Sequence, residues 1–232
     1  ESRLIDALHH DLGKSRLEGF SSEYLQVSNE LRHATVHLRQ WASPRRAQTG
    51  LVSFPAAAWI EPVPYGTVLI IGAWNYPLFV TLVPLVGAVA AGNCAIVKTA
   101  EAAPHTARAL NNLIEASFER GHVDCVNGGP EAGLHLLEAG PDFLCFTGST
   151  STGRTVATEA ARRLIPVILE LGGKNPCIVD REVDMRSAAR RIAWAKFFNA
   201  GQTCVAPDFV AVHHSKRYDL FSELSCAIHQ FY

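Results

Sequence analysis

From Pro62 to Val97 the chain carries no charged residue, a stretch long enough by itself to cross a bilayer. Its interior argues otherwise. Pro64, Gly66, Gly72, Asn75, Pro77, Pro84, Gly87, Gly92 and Asn93 interrupt it, so no apolar run of spanning length survives. The spacing of the breaks predicts a strand over 67–71, a turn over 72–76, a helix over 77–91 with Pro77 in its first turn, and a strand over 94–97. Such a βαβ unit reads as a continuous apolar run because a parallel strand is covered on both faces.

The same alternation continues downstream. Helices are expected over 104–120, 130–138 and 152–164, and strands over 122–126, 143–146 and 167–169. Strands separated by helices of ten or more residues imply a doubly wound, mostly parallel, Rossmann-like α/β sheet. Ahead of this block two amphipathic helices are expected. The second carries Leu25, Leu31, Leu38 and Trp41 at near-heptad spacing, which we read as a face packed on the body. After Leu171 the pattern restarts with strand 177–179, helix 185–199, strand 209–212 and helix 218–229. We therefore expect a domain boundary near Leu171, dividing 1–171 from 172–232.

Composition narrows the function classes. Of 232 residues 48% are hydrophobic and 19% charged, which excludes a disordered chain, and 21 Lys plus Arg balance 22 Asp plus Glu. No basic tract or acidic tail is present, so neither nucleic acid nor a polybasic membrane anchor is an expected partner. Cys94, Cys125, Cys145, Cys177, Cys204 and Cys226 are scattered without a C-x-x-C pair. They read as reduced, mostly buried thiols of a cytoplasmic protein, with Cys94, Cys145 and Cys177 as core fillers in strands and no metal site. The chain opens without Met and ends at Phe231-Tyr232 inside a helical pattern, so we expect a piece of a longer protein.

Several positions could carry chemistry, each beside a plainer role. The turn Gly148-Ser149-Thr150-Ser151-Thr152-Gly153 joins a buried strand to a helix. It is either a phosphate cradle of backbone N–H groups or a structural turn. With Arg154-Thr155 appended it is similar to a P-loop carrying Arg where Lys is required, and Arg is not equivalent there. Cys204, unlike the other cysteines, lies in a small, turn-rich segment, Asn199 to Pro207, where a thiol can act as nucleophile if its pKa is lowered. His213 and His214 permit a Cys–His hydrolase, but nine and ten residues onward on a strand they span poorly back to Cys204. Glu170 follows strand 167–169, where a carboxylate either points into the ligand crevice or is merely solvated. Asn75 is a turn Asn or an amide aimed at an oxyanion. Lys98 and Glu101, at the end of strand 94–97, are equally two-sided.

Together these residues are more specific than apart. Trp74-Asn75-Tyr76-Pro77, Lys98-Thr99-Ala100-Glu101, Phe146-Thr147-Gly148-Ser149, Leu169-Glu170-Leu171-Gly172-Gly173-Lys174 and Gly201-Gln202-Thr203-Cys204 occur in this order. The chain thereby resembles, over essentially its whole length, the NAD(P)-dependent aldehyde dehydrogenases, and most closely their class 3 branch. The resemblance implies N-terminal helices plus an NAD(P)-binding domain over 1–171 and an incomplete catalytic domain over 172–232, with Cys204 as nucleophile, Glu170 as general base and Asn75 as oxyanion donor. It implies Lys98 and Glu101 near the adenosine ribose of NAD or NADP. Trp74, Leu171 and Gly148 through Gly153 would line the rest of the cofactor site. It further implies medium- or long-chain aliphatic or aromatic aldehydes as substrates, and a homodimer for the full-length relative. One departure stands out: Thr99-Ala100 replaces the family's usual Pro-Ser or Pro-Ala. Family members continue past the position of Tyr232, so poor turnover, or a role limited to binding, is the alternative expectation.

Overall fold

Val68, Ile70, Ala95, Val97 and Cys145 alternate along three neighbouring strands, and all are buried in one apolar cluster. That alternation organises the first part of the computed structural model, which describes residues 1–232. The chain divides into two compact units, Glu1–Glu170 and Leu171–Tyr232.

In the first unit α1 (Ser2–Leu12) buries Ile5, Ala7 and Leu8 and stops at Gly13, whose φ of 68° closes the helix with an N–H bond to the His9 carbonyl. A second helical stretch runs through α2 (Arg16–Gly19), a π-helical turn (Phe20–Tyr24) and α3 (Leu25–Trp41). Two short strands, β1 (Arg45–Ala47) and β2 (Ala58–Ile60), pair antiparallel. The main sheet follows: β3 (Thr67–Ile71), α4 (Phe79–Ala90), β4 (Cys94–Lys98), α5 (Pro104–Ser117), β5 (Val123–Val126), α6 (Pro130–Glu138), β6 (Phe143–Gly148), α7 (Thr150–Arg162) and β7 (Val167–Leu171). Its strand order is β5-β4-β3-β6-β7, with β3 parallel to β4 and β6, and β4 parallel to β5.

Helices cover both faces. Leu78, Leu82 and Leu85 from α4 and its approach, with Leu110 and Ile114 of α5, cover Val68 and Ile70. On the other side Leu69, Leu144 and Phe146 are buried together with Leu137 of α6 and Val156 and Ala160 of α7. Burying such a Leu or Ile stabilises by about 1.5–3 kcal/mol, so the layered core carries the unit. The mostly parallel α/β architecture expected from the alternation is the one observed, and no helix is long and apolar enough to cross a membrane.

Three expectations are corrected. The stripe Leu25, Leu31, Leu38 and Trp41 is exposed. Helix α3 instead turns Val27 and Ala34 inward, because the small Ala34 side chain allows close approach to the body. Residues 150–153 form the first turn of α7, which starts two residues early because the Ser149 hydroxyl caps it by accepting the Thr152 N–H. The cysteines are not mostly buried: only Cys145 is, and Cys94, Cys204 and Cys226 are exposed, though all six are free. Cys94 opens β4 at its edge rather than filling the core.

The second unit comprises β8 (Asn175–Val179), α8 (Met185–Phe197), β9 (Pro207–Val212) and α9 (Arg217–Phe231). The strands are parallel, and Val179, Met185, Ala189, Ile192 and Leu220 form the core. Asp184 caps α8 by accepting the Ser187 N–H at 2.9 Å.

Candidate active site

Strand order dictates where a ligand can sit. The chain steps outward from β3 through β4 to β5, then returns to the opposite side of β3 for β6 and β7. Helices diverge at that switch point, opening a crevice beyond the carboxyl ends of the strands. Trp74 and Asn75 follow β3 on the turn before α4, Trp74 exposed and Asn75 half-buried. Lys98 ends β4, and Ser149 and Thr150 follow β6. One edge of one sheet thus presents most of the residues singled out in the first unit.

Lys98 is buried, and its Nζ donates to Glu101 Oε2 at 2.7 Å while the carboxylate remains about half exposed. That hydrogen bond holds the Glu101 carboxyl below the usual carboxylate range. Thr99, where the family resemblance leads one to expect proline, is buried and uses what proline lacks. Its N–H donates to the Val126 carbonyl at 3.2 Å, and its hydroxyl donates to Asn127 Oδ1 at 2.6 Å. The start of α7 gathers hydroxyls: Ser149 Oγ lies 2.9 Å from both Ser151 Oγ and Thr152 Oγ1. Ser149 alone separates β6 from α7, which leaves no room for the wrapped loop of a P-loop. The remaining set suits a dinucleotide: helix N–H dipoles for a pyrophosphate, and a carboxylate beside an ammonium for ribose hydroxyls. Glu170 lies within β7, not beyond it, and is exposed rather than shielded. Leu171 ends that strand.

In the second unit Cys204 is exposed on the loop between α8 and β9. The loop is unusually constrained. Asn199 and Ala200 both adopt left-handed backbone, at φ 52° and 55°, and Gly201 follows at 79°. Non-glycine residues in that region cost about 1–2 kcal/mol each, and such strain concentrates at functional segments. Asn199 and Gln202 hold the turn together: the Gln202 side-chain amide donates to the Asn199 carbonyl at 3.0 Å, as does the Gln202 backbone N–H. Asn175, which sequence reasoning passed over, fastens the loop further. Its Nδ2 donates to the Cys204 carbonyl at 2.7 Å and to the Ala206 carbonyl at 3.1 Å. The signal available was its position directly after Gly172-Gly173-Lys174, and Gly173 is itself required, since a Cβ there would lie 2.6 Å from the Cys204 carbonyl oxygen. His213 is spent on its own turn, with Nδ1 2.8 Å from Ser215 Oγ.

The fold is of the doubly wound dinucleotide-binding class. Comparison with known proteins narrows it: the aldehyde dehydrogenase family model matches residues 1–230, and the chain belongs to that family. It is 45% identical over its whole length to 4,4'-diapolycopene-4,4'-dial dehydrogenase of Cytobacillus firmus, covering 51% of that protein. It is 41% identical to aldehyde dehydrogenase family 3 member A2 of Rattus norvegicus, again over its whole length and 48% of the relative. The solved structure of Staphylococcus aureus AldH in a substrate-bound state superposes with a TM-score of 0.97 at 40% identity, over all of this chain and 50% of that one. An NADP-complexed glyceraldehyde-3-phosphate dehydrogenase from Bacillus halodurans C-125 matches at 0.88 and 27% identity, over 98% of this chain and 48% of the other. The chain therefore spans about half the length of the relatives it matches.

Proposed function

We propose that the chain carries the nucleophile and the cofactor-binding half of an NAD(P)-dependent oxidation of aldehydes to carboxylic acids. The observation that carries this is the Cys204 loop: an exposed thiol on a strained backbone whose carbonyl is fastened by Asn175. In this mechanism the Cys204 thiolate adds to the aldehyde carbon, and the Asn75 amide and the Cys204 N–H stabilise the oxyanion. When bound, the nicotinamide supplies the hydride acceptor. Loss of hydride leaves a thioester on Cys204, and Glu170 takes a proton from the water that hydrolyses it. Trp74, Lys98, Glu101, Leu171 and the Gly148–Gly153 segment would hold the NAD or NADP.

The substrate class is medium- or long-chain aliphatic or aromatic aldehydes. Support comes from the family 3 relatives and from the Cytobacillus relative, which is named for 4,4'-diapolycopene-4,4'-dial. A cytoplasmic setting suits six free thiols, and a homodimer is the assembly proposed for the full-length relative.

The test is formation of reduced cofactor from NAD⁺ or NADP⁺ and a medium-chain aldehyde, using demonstrably folded protein. Cys204→Ser is expected to abolish the signal, and Glu170→Gln to give a burst followed by a stall as the thioester accumulates. Activity retained in Cys204→Ser would sink the mechanism. A folded, silent parent chain would move it to a role in binding alone.

A further inference from the structure

Lys14 and Glu23, which no step of the proposed chemistry uses, are almost completely hidden in the first unit, at 2% and 0% exposure. Lys14 Nζ donates to Glu23 Oε1 at 2.5 Å. Burial pulls the lysine pKa down and pushes the carboxyl up, each opposed by the partner's charge. As a source of stability such a pair is a poor choice, since well-packed apolar side chains often do as well. What apolar side chains could not do is bond the backbone these two charges reach.

Lys14 Nζ also donates to the Asn75 carbonyl at 3.0 Å and lies 4.1 Å above the Tyr76 ring. Glu23 Oε2 accepts the N–H groups of Leu78 at 2.8 Å and Phe79 at 3.2 Å. Helix α4 has no side-chain cap of its own, so these N–H groups would otherwise be orphans at a positive helix end. Glu23 supplies that cap from a distant helix. The turn is thus fastened on both sides of Pro77, by cation and anion of one buried pair. Glu23 sits in the π-helical turn Phe20–Tyr24, a feature often found where a helix serves a site.

We propose that Lys14 and Glu23 are positioning residues that lock the backbone from Asn75 to Phe79 and so aim the Asn75 amide. The proposal rests on the oxyanion role assigned to Asn75 above. An oxyanion donor contributes only if it is held before the reaction begins, and a carbonyl fastened to a buried ammonium fixes the peptide plane that leaves Asn75.

The experiment compares the parent chain with Lys14→Met, Asn75→Ala, the combination of the two, and Lys14→Met/Glu23→Gln, which removes both charges together. Lys14→Met is expected to lower kcat about tenfold or more with little change in cofactor affinity, and to add nothing in the Asn75→Ala background. Backbone amide exchange at Tyr76, Leu78 and Phe79 is expected to accelerate, with the sheet amides unchanged. Full kcat in folded Lys14→Met, the same fold-loss in both backgrounds, or unchanged exchange in the turn would each overturn the proposal. If Lys14→Met does not fold, the charge-free double variant carries the comparison, and failure of both to fold makes the pair a stability element and overturns it too. A folded but inactive parent would instead defeat the dehydrogenase reading, while the exchange data still decide whether the turn is locked.

Discussion

Thr106 shows how one atom can cost a fold something. It is wholly buried in the first turn of α5, and its N–H is capped by Asp11 Oδ2 at 2.7 Å, yet its hydroxyl has no partner. An unsatisfied buried hydroxyl costs about 1–3 kcal/mol, and an apolar group of the same shape removes that cost. Thr106→Val should therefore raise stability by about 1 kcal/mol in a denaturant titration with the m-value unchanged. A loss of stability would mean that the hydroxyl is satisfied in solution. Lys14 and Glu23 pose the converse case. In the sequence they are an ordinary lysine after a helix-ending glycine and an ordinary helical glutamate. Such residues are almost never fully buried unless paired, and the pairing is invisible until the chain is folded.

At the level of elements, the Gly172-Gly173 pair after β7 offers a matched comparison. A Cβ on Gly172 meets nothing within 4 Å, whereas one on Gly173 lies 2.6 Å from the Cys204 carbonyl oxygen and 2.8 Å from Asn175 Nδ2. Gly172→Ala should leave stability within about 0.5 kcal/mol. Gly173→Ala should cost about 1–3 kcal/mol by overpacking and displace the Cys204 loop. Melting curves and turnover on the two variants together check this, and equal behaviour would show that the loop gives way freely. Element identity was largely legible in advance, since apolar runs and Gly or Pro breaks are local signals. Two details were not. The Ser149 hydroxyl starts a helix inside a glycine-bounded segment that has the pattern of a turn, and the buried face of α3 is carried by Ala34, a weak signal beside exposed Leu31 and Trp41.

Across the whole molecule the thiols report how the core is laid down. Burial, with a smaller push from the Glu170 charge, raises the Cys145 pKa to about 11, and burial with the Glu115 charge does the same for Cys125. A raised thiol pKa keeps the proton on, so reactivity grows only as pH climbs. At pH 8 about one part in a thousand of either would be thiolate. Alkylation at that pH should mark Cys94, Cys204 and Cys226 while sparing Cys125 and Cys145 until denaturant is added. Mapping the labelled peptides checks it, and early labelling of Cys145 would contradict the packing of β6.

Candidate chemistry was visible at Asn75, Lys98, Glu101, Glu170 and Cys204 because each stands at a break in an apolar pattern, where a polar side chain is conspicuous; the assays above decide their roles. By itself the sequence determined the βα alternation and hence a doubly wound sheet, because strands covered on both faces must be apolar runs and their connections must cross over. Only the tertiary structure decided which polar groups support those positions. Asn175 on the Cys204 carbonyl, and Lys14 with Glu23 on the turn from Asn75 to Phe79, join residues far apart in the chain. Periodicity reports what a residue's near neighbours do, whereas the worth of a buried hydrogen bond depends on a partner that folding brings from elsewhere.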